Sequence, residues 1–415
     1  MSVKQLSSII LFLGIYLGSA FATNSVSIQE FGVKPGNSPA ENKVNLQKAI
    51  DWASETGTAL FVEPSDEPYP VDGGLILRNN VSLVGVHGPT PRGTIHPTKQ
   101  QPVGSVLAIT DRENVFITVT TGTQIRGIQF WYPEQTIRDP EAIIAYPATI
   151  QTSQTSRTQG VFLSCLTFYG EYLAFDFYAS RANPNELMTF EHCYGYPLSG
   201  TFIRIQYCYD IPRILHCHVN PAIQRYIGGQ YSPAVVDAVI AKKTFAFIVE
   251  NTDNAQLIDV FTFGTYGGVL LGGNSYGQLT NFNLDCVAVG ILKQGNNTKN
   301  RNWMISQGSI IANTGEDVEN IHPIIIEGQG HTAIVNVEAF SGGNSALTTV
   351  PEDESWDFLL VRGDEKLTVS IFGSRMRNYV SDHPFTIRND KAIIQAVACI
   401  DKFEEPFNFS TADNK

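Results

Sequence analysis

The stretch that decides the fold runs from Val26 to Gly85 and reads VSIQEFGVKPGNSPAENKVNLQKAIDWASETGTALFVEPSDEPYPVDGGLILRNNVSLVG. Apolar residues recur at helical spacing between Val44 and Ala53, which predicts a short helix there. Short apolar segments bounded by Gly, Pro, Asn and Asp follow at Ala59–Val62, Leu75–Leu77 and Val81–Val84, and they predict strands. One helix followed by closely spaced strands indicates a β-rich chain with a helix near its start.

The first 22 residues have the pattern of a secretory signal. Lys4 is basic, Ile9–Leu17 is apolar, and Ala20–Ala22 forms an A-x-A cleavage site. The apolar run is too short to span a bilayer. We therefore expect signal peptide 1–22, a single mature domain over residues 23–415, secretion to the extracellular space or the periplasm, and no membrane attachment after cleavage.

The composition excludes several classes of partner. The chain has 415 residues, of which 43% are apolar and 16% are charged, so it can bury a large core. Its formal net charge is −12. Nucleic acid is not an expected partner for so acidic a chain, because binding phosphates depends on Lys and Arg.

Similar strand segments recur every 20–30 residues, roughly, which is typical of a solenoid. Cys165, Cys193 and Cys217 occupy one position in three of them, at intervals of 28 and 24 residues, and Cys286 follows later. We predict that these four side chains point inward as a column of buried thiols. Disulfides between neighbouring segments are the alternative. No CxxC spacing occurs, so no metal site is expected.

An inward cysteine places the residue before it on the outer face, because strand side chains alternate. That outward column is predicted to hold Ser164, His192, His216, Asp259 and Asp285. The residues after the cysteines add aromatic rings, among them Tyr194, His218 and Phe261. Carboxylates beside aromatic rings suit sugars, so His192, His218 and Tyr194 are predicted to bind substrate. The alternative is an ordinary solvated face.

The order of elements in Val26–Gly85 resembles the N-terminal cap and first turns of the pectate-lyase-like proteins. This resemblance implies an all-β chain, a right-handed single-stranded parallel β-helix with an N-terminal capping helix. That large group mostly acts on extracellular polysaccharides, so the resemblance also implies a polysaccharide partner.

Two further motifs resemble those of the family 28 polygalacturonases. Asn251–Asp253 is similar to their NTD triplet, and Asp285–Val289 is similar to their DDC[IV]A[IV] motif. The resemblance implies that Asp253 and Asp285 act as the acid and base of an inverting hydrolysis. The chain departs from the family at Leu284, where the motif has its first aspartate.

A third resemblance covers more of the chain. The run Gly127–Gln135 and the later Tyr146–Ile150 are similar to a set of secreted bacterial proteins with a YPEQ…YPxTI signature. Tyr207–Asp210 also fits that set, and we predict Asp210 as a substrate-binding residue.

We therefore predict a glycoside hydrolase with no cofactor, whose catalytic candidates are Asp253, Asp285, Asp259 and His216. The first alternative is a lyase, in which Asp253, Asp259 and Asp285 hold Ca²⁺ through oxygen ligands and His216 or His218 is the base. The second alternative is a carbohydrate-binding protein without activity, which the leucine at position 284 favours.

Overall fold

The structure, a computed structural model, describes residues 25–90, 98–225, 227, 229–295, 302–314, 320–341, 357–377, 379 and 381–411. The predicted signal peptide 1–22 lies outside the described residues. Within them the chain forms 31 β-strands and two α-helices. The prediction of an all-β chain is confirmed. The right-handed winding and the division into one domain over 23–415 stay predictions.

The strands, numbered β1 to β31 along the chain, pair in parallel except for the last pair, and they form three ladders. Each turn of the chain, called a coil here, contributes a segment to the first, second and third ladder in that order. The first ladder contains β1 (Ser25–Ser27), β2 (Ala59–Phe61), β5 (Ser82–Val84), β8 (Gln124–Arg126), β11 (Thr158–Tyr169), β13 (Asn185–Gly195), β16 (Arg213–Leu215), β19 (Ala255–Ile258), β21 (Gly277–Thr280), β23 (Asn302–Ala312), β25 (Gly330–Ser341), β27 (Leu367–Phe372) and β30 (Ile393–Ile400).

The longer strands continue into a neighbouring ladder, so each coil is closed. The second ladder adds β3 (Tyr69–Pro70), β6 (Val106–Ala108), β9 (Gln129–Trp131), β17 (His218–Val219), β20 (Phe261–Gly272), β22 (Asn283–Lys293) and β28 (Arg375–Arg377). The third adds β4 (Leu75–Leu77), β7 (Ile117–Val119), β10 (Ile150–Thr152), β12 (Phe175–Tyr178), β14 (Ile203–Gln206), β18 (Phe245–Glu250), β24 (His322–Ile326), β26 (Leu359–Val361) and β29 (Phe385–Ile387). The remaining strands are β15 (Cys208–Tyr209) and β31 (Pro406–Ser410).

Helix α1 (Pro39–Thr56) is longer than the predicted helix Val44–Ala53. The Ser38 side chain accepts a hydrogen bond from the Glu41 amide and begins the helix, and Gly57 ends it with a left-handed backbone. Its buried face packs against β2, β3 and β4. Val44 is 67% exposed, so it lies outside the apolar face to which its spacing assigned it. The capping role of α1 stays a prediction.

A column of left-handed residues marks the bend between the first and second ladders. These residues lie at matching positions in ten consecutive coils, and their φ values run from 52° to 68°. We call them the corner ladder: Gly127, Cys165, His192, His216, Asp259, Asn281, Gln307, Asn336, Gly373 and Ala398. A left-handed residue interrupts the alternation of side chains, so inward and outward positions shift by one there.

The predicted column of four inward cysteines is wrong for two of its members. Cys193 and Cys217 are aligned neighbours and fully buried, and Val260 follows them. Cys165 instead belongs to the corner ladder and aligns with His192, while Cys286 aligns with Gly264, four residues after Val260. All six cysteines are buried and none forms a disulfide, so the disulfide alternative is also wrong.

The longest described connection within a coil joins β17 of the second ladder to β18 of the third. It contains a 3₁₀ turn (Pro221–Gln224) and α2 (Pro233–Ile240), an apolar helix that packs against β20. Among the residues that the structure describes, neither α1 nor α2 combines the length and the hydrophobicity needed to cross a membrane.

Candidate functional site

His192, His216 and Asp259 lie on three consecutive rungs of the corner ladder, where the bend projects their side chains outward. The two imidazole rings stack with their centroids 4.7 Å apart and their planes 15° from parallel. His216 Nδ1 lies 2.8 Å from Asp259 Oδ2. We call these three residues the corner strip. The predicted outward column is confirmed for them.

Asp259 determines the tautomer of His216. A carboxylate only accepts hydrogen bonds, so the proton of the neutral ring lies on Nδ1 and leaves Nε2 as a base. Both side chains remain accessible, with 41% of His216 and 52% of Asp259 exposed. An accessible imidazole oriented by a carboxylate can take a proton from a bound molecule and return it.

The other ring of the stack is held in its neutral form. Burial lowers the pKa of His192, and the neighbouring His216 adds to that effect. The Tyr194 hydroxyl lies 3.1 Å from His192 Nδ1, and burial raises the pKa of this tyrosine well above its usual range. Tyr194 therefore keeps its proton at neutral pH and can donate it in a hydrogen bond.

A second column of rings runs beside the corner strip on the outer face of the second ladder. Tyr194, His218 and Phe261 are aligned on three consecutive coils, and we call them the aromatic platform. His218 stacks on Phe261 with centroids 4.2 Å apart and planes 15° from parallel. Tyr194 is buried, whereas His218 and Phe261 are half-buried and present apolar ring surface beside polar groups, which suits a sugar.

Asp285 is on the same outer face but not in the corner strip. It aligns with Phe263, which is four positions after Asp259, and it lies one coil beyond Phe263. Asn281 occupies the corner position that was predicted for Asp285. The sequence paired Cys286 with Val260, whereas the structure aligns Cys286 with Gly264, so the predicted register is wrong by four residues. Asp285 is half-buried beside the aromatic platform rather than part of the strip.

Asp253 and Asp210 lie at a different bend, between the third and first ladders. The Asp253 amide donates to the Cys208 carbonyl, and its carboxylate accepts a hydrogen bond from the Tyr276 hydroxyl. Asp210 is exposed. The hydrogen bond to Glu186 raises the pKa of Arg157, and the charge of Asp210 adds to that effect. The structure therefore does not bring Asp253 together with Asp285 as the polygalacturonase resemblance implied. The catalytic and binding roles of all these residues stay predictions.

Side chains that could serve as metal ligands are not grouped in the described part of the chain. No three His, Cys, Asp or Glu side chains there are arranged to hold an ion. The calcium ion of the lyase alternative stays a prediction.

A cluster on the third ladder was not predicted from the sequence: Asp176, Tyr178, Arg204 and Glu250. Its members are far apart in the chain, with 28 residues between the positions of Asp176 and Arg204 and 72 between those of Tyr178 and Glu250. The only signal is that FDFY and IRIQ alternate apolar and polar residues, and the third segment, FIVE, does not.

No protein family matches the chain by sequence, and none of the curated proteins matches it. Its fold is similar to several solved structures. The mannuronan C-5 epimerase AlgE6 A-module of Azotobacter vinelandii has a TM-score of 0.54 at 10% identity, over 90% of this chain and 98% of that one. DFA-IIIase of Arthrobacter chlorophenolicus A6, solved in complex with GF2, has a TM-score of 0.51 at 9% identity, over 92% of both chains.

The tailspike protein of the E. coli bacteriophage HK620 is a third similar structure, solved in complex with a hexasaccharide. Its TM-score is 0.56 at 11% identity, and the match covers 92% of this chain and 66% of the tailspike chain. This chain therefore spans just under two thirds of the tailspike. At such identities the likeness shows the fold alone.

Proposed function

We propose that the protein is an enzyme that binds a polysaccharide across the aromatic platform and cleaves it at the corner strip. The observation that carries this proposal is the His216–Asp259 pair, 2.8 Å apart and accessible, beside the stacked rings of His218 and Phe261. The pair supplies a base, and the rings supply a surface for the sugar.

The solved structures with a similar fold support the choice of substrate class. They include a mannuronan C-5 epimerase, an enzyme solved in complex with GF2 and a tailspike solved in complex with a hexasaccharide. Each of these properties belongs to that protein. We extend to this chain only the general class, a carbohydrate.

The reaction that we propose is hydrolysis of a glycosidic bond. Inverting hydrolysis needs a base that activates water and an acid that protonates the leaving oxygen. His216, oriented by Asp259, is the base in this proposal. Asp285 lies on the same face and is the acid. Asp253 takes no part, because it lies at another bend.

A second candidate reaction is β-elimination. It is favoured by the fact that the base at the strip is an imidazole rather than one of two facing carboxylates. An imidazole base can remove the proton α to a uronate carboxylate, and the Tyr194 hydroxyl, hydrogen-bonded to His192, can protonate the leaving oxygen.

We also propose that the coils wind right-handed as a single-stranded β-helix, that α1 caps the first coil, and that the protein is secreted. Parallel strands joined by crossover connections are right-handed in nearly all proteins. The packing of α1 against β2, β3 and β4 supports the capping role. The pattern of residues 1–22 supports secretion.

The first test of this proposal is a panel of neutral and acidic polysaccharides incubated with the mature protein. New reducing ends without ultraviolet absorbance indicate hydrolysis. Reducing ends together with the absorbance of an unsaturated uronate indicate elimination. Neither signal, with or without added calcium, contradicts the proposal and favours a binding protein.

Four variants then locate the chemistry. His216→Gln and Asp259→Asn are expected to lower kcat by roughly a hundredfold to ten-thousandfold, the usual contribution of a general base. Asp285→Asn is expected to do so only if the reaction is hydrolysis. Asp253→Asn is the matched control and should keep its activity. Loss of activity in Asp253→Asn with retention in Asp259→Asn would overturn the assignment.

A further inference from the structure

A second polar cluster lies on the outer face of the third ladder, on the consecutive strands β12, β14 and β18. Asp176 aligns with Arg204, and Tyr178 aligns with Gln206 and then Glu250. We call these five residues the third-ladder cluster. The intervening side chains point into the core and are buried, as alternation requires.

Four members of the third-ladder cluster, Asp176, Arg204, Tyr178 and Glu250, are joined in one network. Arg204 Nε and Nη2 donate to the two carboxylate oxygens of Asp176 at 2.7 and 2.6 Å. The guanidinium carbon of Arg204 lies 5.2 Å from the centre of the Tyr178 ring. The Tyr178 hydroxyl donates to Glu250. A bidentate pair stacked on a ring is a rigid arrangement of donors and acceptors.

The ionisation of the network is also fixed. The hydrogen bond from Arg204 to Asp176 raises the pKa of the guanidinium further above its usual value. Burial, and then the hydrogen bond to Glu250, raise the pKa of Tyr178 to about 12. At neutral pH the cluster therefore contains two carboxylates and one guanidinium, with an excess of one negative charge.

One acceptor at the centre of the cluster has no donor. Gln206 Oε1 is buried and has no hydrogen-bond partner among the described residues. Its residue lies between Tyr178 and Glu250 in the register. Buried polar atoms are almost always satisfied in folded proteins. Gln206 as a residue is only half-buried, so a turn of its amide group would bring this oxygen to a hydroxyl donor from outside the chain.

An apolar surface continues the same column beyond Arg204. Ile248, Leu270 and Leu292 follow on the next three coils and are half-buried on the outer face. Stacked coils lie about 4.8 Å apart, so the column from Asp176 to Leu292 spans roughly 19 Å. An aliphatic strip beside fixed acceptors offers both kinds of surface that a chain of sugar rings requires.

We propose that the third-ladder cluster and this apolar strip form a second carbohydrate site, which binds a neutral oligosaccharide. The carboxylates of Asp176 and Glu250 and the amide oxygen of Gln206 accept its hydroxyl groups. Arg204 donates from the N–H groups that Asp176 does not use. The negative excess disfavours a polyanion. The site is on the third ladder, whereas the corner strip lies where the first ladder meets the second, so the two sites are separate.

The test measures binding by calorimetry, using the neutral hexasaccharides of cellulose, xylan, mannan, laminarin and starch, with a galacturonate hexamer for comparison. At least one neutral hexasaccharide is expected to bind and the galacturonate hexamer to bind more weakly or not at all. Asp176→Asn, Glu250→Gln and Tyr178→Phe should each lower that affinity by roughly tenfold to a hundredfold, as expected for losing a hydrogen bond to a charged group.

Two controls make the result specific. Asp51→Asn alters another Arg–Asp pair, in which Asp51 of α1 bonds to Arg78. This variant should leave binding unchanged. His216→Gln should also leave binding unchanged, so failure of the proposed catalysis does not affect this readout. Tyr178→Phe removes only a hydroxyl at the surface and changes no charge. Its result therefore still tests the proposal if the charge variants misfold. No binding by any neutral hexasaccharide, or binding that all three cluster variants retain, overturns the proposal.

Discussion

At the scale of single residues, Glu171 is the most unusual group in the described chain. Its side chain is fully buried, and neither carboxylate oxygen has a well-formed hydrogen bond among the described residues, although the Glu171 and Tyr196 amides lie nearby. A Cβ added to Gly195 would come within 2.2 Å of Glu171 Oε1, so the carboxyl group occupies space that only glycine leaves open. Burial raises the pKa of Glu171 to about 8, and the amides of Glu171 and Tyr196 offset this only in part.

This shift predicts that stability falls as the pH rises. The folded state holds the proton of Glu171 up to pH about 8, whereas the unfolded chain releases it near its ordinary pKa of 4.5. The stabilising contribution is therefore complete below pH about 4.5 and is lost progressively as the pH rises to about 8. Glu171→Gln should remove this dependence and raise the free energy of unfolding at pH 8 by on the order of 4 kcal/mol.

Urea unfolding of both proteins at several pH values between 5 and 9, roughly, measures the difference, and the sign follows from the linkage relation. Glu55→Gln, an exposed glutamate on α1, is the control and should match the wild type throughout. Parallel pH profiles for the wild type and Glu171→Gln would show that this carboxyl group titrates normally.

Residue-level patterns predicted part of the site. His192, His216 and Asp259 were identified because each precedes an inward residue of a similar segment. The same rule misplaced Asp285 and its neighbour Cys286. A left-handed residue shifts the alternation, and the sequence does not show where such a residue lies. Cys165 and Cys286 both have positive φ, which nothing about cysteine indicates.

At the scale of elements, the corner ladder explains why the residues of the corner strip lie at a bend of the chain. A left-handed backbone is easiest for Gly, and next for Asn, Asp and His. Five of the corner positions hold His192, His216, Asp259, Asn281 and Asn336. The bend therefore selects polar residues that can also bind a ligand, and stacking places them on adjacent rungs.

Substitutions of two nearby asparagines test whether the corner ladder disfavours a branched side chain. Asn281 has φ 53°, whereas Asn283 lies within β22 without a positive φ. Asn281→Val should lower the free energy of unfolding by about 1–2 kcal/mol, because a branched side chain clashes in the left-handed conformation. Asn283→Val should leave it unchanged or raise it slightly, since extended strands favour valine.

Denaturant midpoints of the two variants provide the comparison. Equal destabilisation by both substitutions would mean that the loss of an asparagine, and not the backbone conformation, determines the cost.

Helix α1 shows how well an element can be predicted. The apolar spacing located the helix, but its start depends on Ser38 and Pro39 rather than on the apolar positions. Spacing alone also assigned Val44 to the buried face. Tertiary packing decides that face, and Asn42 is buried instead because its side chain bonds the backbone of Lys34 and Pro70.

At the scale of the whole molecule, one hydrophobic core runs from Ile28 to Cys399, and the last coil ends in an antiparallel pair. Strand β31 pairs with β30, and Phe409 packs against the ring of Phe385 with centroids 5.1 Å apart. The parallel solenoid was predictable from recurring segments. This reversal was not, because Phe407 and Phe409 have the same alternation as any other strand.

Deleting residues 402–415 should expose the edge of β30 and cause self-association. An uncovered strand edge pairs readily with another chain. Light scattering is expected to show a larger mass than for the full chain, together with a lower Tm. Deleting residues 412–415 removes no residue of β31 and is the control. A truncated protein of unchanged mass would show that β31 does not protect the edge.

The third-ladder cluster could not be predicted at any scale below the whole molecule. Its contacts join three coils that contain different numbers of residues. No local sequence motif indicates those numbers, so the alignment cannot be predicted from one segment. Only the completed register aligns Tyr178 with Gln206 and Glu250.

The connection between β17 and β18 adds a turn, α2 and their loops to one coil, yet Ile203 still aligns with Phe247 and His218 with Phe261. The alignment of neighbouring coils is thus unaffected by the length of this connection. The length of such a connection can therefore differ from coil to coil while the strands on either side keep their partners.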